Sequence, residues 1–129
     1  MSEFIGIDVS KDKLDIGWLR DLATGKIKTK VLKNTGDGHQ RLVDWLLKTT
    51  RARPEDIVIT LEPTGIYHEA LLYDLHARGF QLFLVNPGKA RQYAESLNQT
   101  HKTDSGDAIM LARYGQAQRH QLTLWQPEA

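Results

Sequence analysis

"DIVITLE", residues 56–62, is dense in β-branched side chains and reads as a strand that ends on Glu62. Its neighbours on either side decide the fold. Upstream, "EFIGID" (3–8) reads as a buried strand ending at Asp8. "KLDIGWL" (13–19) and "GKIKTKVLKN" (25–34) read as two more, joined by a hairpin turn at "LATGK" (22–26). "NTGDGHQRLVDWLLKTT" (34–50) then places Leu42, Val43, Trp45, Leu46 and Leu47 at helical spacing. Downstream, "GIYHEALLYDLHARGF" (65–80) predicts a helix with Ala70, Leu71 and Leu75 inward, stopped by Gly79. "QLFLVNP" (81–87) is a fifth strand closed by Pro87. A helix with Ala90, Tyr93, Ala94 and Leu97 in register follows, then the polar loop "NQTHKT" (98–103) and a last helix. Parallel neighbours need a right-handed helical crossover, so a three-stranded meander followed by strand–helix–strand units yields an α/β fold, a mixed five-stranded sheet flanked by helices.

In the third strand Lys26, Lys28 and Lys30 alternate with Ile27, Thr29 and Val31, which predicts one face toward solvent and the other toward the core. The lysines read either as edge-strand protection against aggregation or as phosphate contacts.

The last helix opens with "THKTDSGDAI" (100–109), which sets Asp104 and Asp107 three residues apart. Like charges at that spacing share a helix face and repel unless something positive sits between them. The same stripe continues through Ala108, Leu111, Ala112 and Gly115, so the acids point toward the core. Capping by Thr103 or Asp104 accounts for one acid, but not for two on a buried face.

The chain has 129 residues, 40% hydrophobic and 26% charged, the profile of one domain with one core. No apolar run approaches the ~20 residues a membrane helix needs, and "MSEFIGID" enters a strand without signal-peptide architecture, so a cytoplasmic protein with no membrane partner is expected. The absence of cysteine excludes disulfide frameworks, thiolate metal sites and cysteine nucleophiles. The net charge of +1, from 17 Lys and Arg against 16 Asp and Glu, does not announce a nucleic-acid binder. Gathering four acids around about two divalent cations would make the loaded protein more positive by about four charges.

Asp8 and Glu62 fall at the carboxyl ends of strands, where open α/β sheets place their sites, and in the ribonuclease H-like fold that this order of elements resembles those two strands are neighbours. Either could instead be a strand-end acid satisfied by the turn that follows it. Together with Asp104 and Asp107 they form a set that cannot stay ionised without counter-charge. Oxygen-only donors suit hard divalent cations, Mg²⁺ above all, and that combination points to phosphodiester chemistry. The five histidines offer no zinc site, since His68 and His76 stand eight apart with no third ligand at motif spacing, and they read as surface residues. "HARGF" (76–80) and "RQYAE" (91–95) read as ordinary helix packing, although basic and aromatic residues together also suit nucleic acid. Lys102 beside the acids, and Lys11 after the first strand, are candidates to meet a phosphate.

"IGIDVSK" (5–11), "LEPTG" (61–65), "VNP" (85–87) and "KTDSGDA" (102–108), in this order and spacing, resemble the N-terminal domain of the DEDD transposases, the insertion-sequence family that includes the Piv-type DNA invertases. The resemblance spans essentially the whole chain. It implies a ribonuclease H-like fold similar to that of the RuvC Holliday-junction resolvases, with the first and fourth strands side by side and parallel. The family's catalytic, metal-binding acids fall on Asp8, Glu62, Asp104 and Asp107. Also implied are DNA cleavage and rejoining in transposition or inversion, Mg²⁺ or Mn²⁺ as cofactor with two ions at the site, DNA and a guide-like RNA as partners, and action on the nucleoid of a prokaryotic cell. Family members continue into a C-terminal transposase domain that carries a nucleophilic serine, and they act as oligomers. Residues 1–129 are therefore expected to be a single catalytic domain, a fragment holding one half of a composite site. Ser10, Ser96 and Ser105 do not match that serine and read as turn or helix-start residues.

A RuvC-like endonuclease that hydrolyses without rejoining would use the same acids. An ATPase of the actin and sugar-kinase type would need a glycine-containing phosphate cradle after Asp8, and "DVSKDK" (8–13) offers one serine and no glycine. A non-catalytic nucleic-acid-binding module would have no need of four acids.

Overall fold

The computed structural model describes residues 2–97 and 106–128. Five strands form one sheet: β1 (Glu3–Val9), β2 (Lys13–Asp21), β3 (Lys26–Lys33), β4 (Ile57–Leu61) and β5 (Gln81–Leu84), in the spatial order β3-β2-β1-β4-β5. β2 is antiparallel to both β1 and β3, whereas β1 pairs with β4, and β4 with β5, in parallel. The expected ribonuclease H-like arrangement, first and fourth strands adjacent and parallel at the centre, is the one found.

Helices cover both faces because the central strands alternate between two cores. Ile5, Ile7, Leu14, Ile16, Ile59 and Leu61 face α1 (Gly36–Thr50) and α2 (Glu69–Ala77), against Leu42, Leu46, Leu71 and Leu75. Phe4, Leu19, Val58 and Phe83 face the other way, against α3 (Lys89–Ser96) and α4 (Gly106–Ala117). Thr35 caps α1 by accepting the Gly38 amide at 3.0 Å, and Asp37 in its first turn pairs with Arg41 at 2.8 Å.

Four expectations need correction. Neither face of β3 is buried: Ile27 is 45% and Val31 58% exposed, because β3 is the edge strand of the sheet and α1 reaches it without covering either residue. α2 begins at Glu69 instead of Gly65, since Gly65 has φ +55° and the chain turns through residues 65–68 first. Its inward residues are Leu71, Leu72 and Leu75, while Ala70 is exposed. In α3, Ala90 and Ala94 are buried but Leu97, which caps the helix, is 47% exposed. The loop expected over 98–103 lies outside the described residues.

Candidate active site at the carboxyl edge of the sheet

α4 lies almost on the strand backbone. A Cβ at Gly6 of β1 would stand 1.9 Å from the carbonyl oxygen of Ala108 and 2.6 Å from the amide nitrogen of Ala112. The helix reciprocates at Gly115, where a Cβ would stand 2.0 Å from Thr60 Oγ1 of β4. Small residues on both partners, Gly6 below and Ala108, Ala112 and Gly115 above, thus set the height of α4 over the β1–β4 pair. Asp107, in the first turn, is carried to the carboxyl edge of that pair.

Strand alternation does the rest. Gly6 faces α4, so Asp8, two residues on, faces the same way. Thr60 also faces α4, and Ile7 pairs with Leu61, so Glu62 projects beside Asp8. Burial pushes the Asp8 carboxyl above the usual carboxylate range, and the charges of Asp107, Asp15 and Glu62 push it further, while Lys13 opposes them. Three of the four expected acids, Asp8, Glu62 and Asp107, therefore stand close enough to feel one another. Asp104 and Lys102 lie outside the described residues.

Asp15 and Lys13 are members of this neighbourhood that the sequence reading did not single out. Asp15 sits directly across β2 from Asp8, is buried, and pairs with Lys13 Nζ at 3.5 Å. The available signal was a charged residue inside the otherwise apolar run "LDIGW" (14–18). Two further groups come from α3. The Gly88 amide donates to Glu62 Oε2 at 2.5 Å, and Arg91 Nη2 stands 2.8 Å from Asp107 Oδ1. Arg91 thus sets a positive charge against Asp107, while the repulsion expected between Asp107 and Asp104 involves a residue outside the described ones. Lys11 is exposed in the turn after β1, and among the described residues it forms no ion pair.

Hydrogen bonds lock the surrounding loops. Asn34 Nδ2 donates to the carbonyls of Ser10 and Tyr67 at 2.9 Å each, which leaves its Oδ1 to accept from His39 Nε2 at 2.8 Å. His68 Nδ1 accepts the Thr64 amide at 3.1 Å and closes the turn after Glu62. His39 and His68 are buried, not surface residues. Ser10 is a turn residue, bonded through its hydroxyl to Lys13, whereas Ser96 sits at the end of α3, not at a helix start. Ser105 lies outside the described residues.

The donors present are all carboxylate oxygens, and burial together with the crowding of the acids raises the Asp8 carboxyl; that chemistry fits a hard divalent cation. Among the described residues, no group of three or more His, Asp or Glu side chains is arranged to hold an ion as it stands. Arg91 and the Gly88 amide each engage one of the carboxylates.

A ribonuclease H-like sheet with carboxylates gathered at the carboxyl edge of its central parallel pair defines the class of domain. Residues 5–129 match the family described as transposase, of the DEDD type that includes IS110. The chain is 31% identical over 126 residues to the pilin gene-inverting protein of Moraxella bovis and 30% identical over 126 residues to that of Moraxella lacunata. Each alignment covers 98% of this chain and 37% of the relative. The chain belongs to the DEDD transposase family, and it spans 37% of the length of these curated relatives. Among the described residues no helix is long and apolar enough to cross a membrane.

Proposed function

We propose that this chain is the acidic half of a DNA recombination active site, acting in transposition or site-specific inversion by cleaving and rejoining strands. The observation that carries the reading is the convergence of Asp8, Glu62 and Asp107 at one edge of the sheet, where burial first and the neighbouring acids second hold the Asp8 carboxyl above its ordinary range. With Asp104, these residues would hold Mg²⁺ or Mn²⁺. Two such ions, when bound, would activate an attacking hydroxyl and hold the leaving oxygen of an in-line displacement at a phosphodiester. The chain's own part is placement: β1 and β4 fix two carboxylates, α4 lowers a third onto them, and Lys13 on its buried Asp15 keeps a positive charge at the rim. DNA is the proposed substrate. A serine nucleophile, a guide-like RNA and an oligomeric assembly belong to the same reading and to the longer protein.

In the full-length protein, Asp8→Asn and Glu62→Gln are expected to lower recombination of a plasmid carrying the element's ends by about 10³-fold or more, the scale of losing a group that stabilises the transition state. DNA binding should persist. Recombination near the parent's level in both variants would remove the acids from the chemistry. Robust metal-dependent nicking by residues 1–129 alone would favour a RuvC-like hydrolytic nuclease instead.

A further inference from the structure

α3 touches two of the site carboxylates by different means. Its Gly88 amide holds Glu62 through the backbone, a contact that moves only if the helix moves. Arg91 holds Asp107 through a long side chain, and the two are 57% and 47% exposed, so the pair lies at the solvent mouth of the site. Exposed ion pairs of this kind contribute little to stability and exchange readily. The helix itself needs no such strut: Ala90 and Ala94 are buried in the core, and Tyr93 packs edge-on against Tyr114 of α4 with ring centroids 5.7 Å apart. Arg91 therefore has a fixed base and a long, exposed head.

We propose that Arg91 is a ligand for the substrate's phosphate, held in reserve by Asp107 until a divalent cation takes that carboxylate. The inference rests on the proposed metal-binding role of the acids. A cation arriving among Asp8, Glu62 and Asp107 neutralises the charge that attracts the guanidinium and repels the guanidinium directly. The anion then nearest the mouth is the phosphodiester brought by DNA, and a guanidinium fork matches two phosphate oxygens as well as it matches a carboxylate. Arg91 would exchange a carboxylate for two oxygens of a tetrahedral phosphate without any backbone movement. Lys13 is less able to do this, because its partner Asp15 is buried and needs it.

The exchange predicts effects of opposite sign, which a helix-to-helix strut does not. Mn²⁺ binding to the full-length protein without DNA, followed by electron paramagnetic resonance, should be about threefold tighter in Arg91→Gln than in the parent, because an exposed competing cation has gone. Binding to a short duplex oligonucleotide, followed by fluorescence anisotropy in Mn²⁺, should be about tenfold weaker in the same variant, the loss of a charge-assisted hydrogen bond. Without Mn²⁺ the parent and Arg91→Gln should bind the duplex alike. Arg91→Lys keeps the competing charge but not the fork, so its Mn²⁺ affinity should match the parent's while duplex binding in Mn²⁺ still weakens. Unchanged or weaker Mn²⁺ binding in Arg91→Gln, or duplex binding in Mn²⁺ equal to the parent's, would overturn the proposal while leaving the metal site standing. A parent that binds no Mn²⁺, or binds it as well after Asp8→Asn, would overturn the metal reading and this inference together.

Discussion

Asp8 is where the electrostatic tension of the site concentrates. Glu62 has a backbone amide and Asp107 a guanidinium, whereas Asp8 is half-buried among three other acids with Lys13 as its opposing charge. A carboxyl raised above its ordinary value of 3.8 binds its proton more tightly in the folded chain than in the unfolded one. Stability from this group is therefore full below that value and is lost as pH rises through the raised one. Asp8→Asn removes the ionisation, so the metal-free variant should be at least as stable as the parent at neutral pH. Its advantage should shrink toward zero as pH falls below about 4. Urea denaturation of both proteins across that range measures it, and a variant less stable than the parent at pH 7 would show that Asp8 is satisfied where it stands. The candidate acids were legible as residues because motif and strand end coincide at Asp8 and Glu62. Asp15 was not, because nothing in "KLDIGWL" (13–19) says which of its neighbours lies opposite Asp8, and pairing register is a property of two strands. Arg91 was hidden for the same reason: its partner Asp107 is 16 residues away on another helix.

At the scale of elements, the site depends on how closely α4 approaches β1. Gly6→Ala sets a methyl carbon 1.9 Å from a helix carbonyl oxygen, and backbone cannot swing aside as a side chain can. The expected cost is about 3 kcal/mol or more, at or beyond the upper end for overpacked cores, read from the denaturation midpoint. Gly36→Ala, at a glycine with nothing within 4 Å, is the control and should stay within about 0.5 kcal/mol of the parent. Equal, small effects at both positions would mean that α4 does not approach β1 closely at Gly6. Periodicity made α4 readable in its apolar part, since Ala108, Leu111, Ala112 and Gly115 are buried as their stripe predicted, whereas Asp107 on the same stripe is 47% exposed and does not point into the core. The same kind of pattern misled at β3, where alternation separates lysines from Ile27 and Val31 but cannot say whether any helix covers the apolar side. Ala70 failed for a related reason: the preceding turn delays the start of α2, and Leu72 occupies the inward position instead.

For the whole molecule, the order of elements carried most of the information. Three strands, a helix and a return strand leave few unknotted topologies, and the resemblance to the ribonuclease H-like fold supplied the parallel pairing of β1 with β4 that brings Asp8 and Glu62 together. The order cannot show what closes the site, because Gly88 and Arg91 reach it from the start of α3 and Lys13 from β2. We propose that these acids form one cation site in service of DNA chemistry. Thermal melts of the parent and of Asp8→Asn, with and without Mg²⁺ or Mn²⁺, test it most directly. A cation present at about a hundred times its Kd stabilises the folded chain by about 2.7 kcal/mol. For a chain of this size, that corresponds to a rise of roughly 10 °C in the parent's Tm. In Asp8→Asn, already at least as stable without metal, most of that rise should vanish. A parent whose Tm ignores both cations, or an Asp8→Asn variant that gains as much from them as the parent does, would contradict the account.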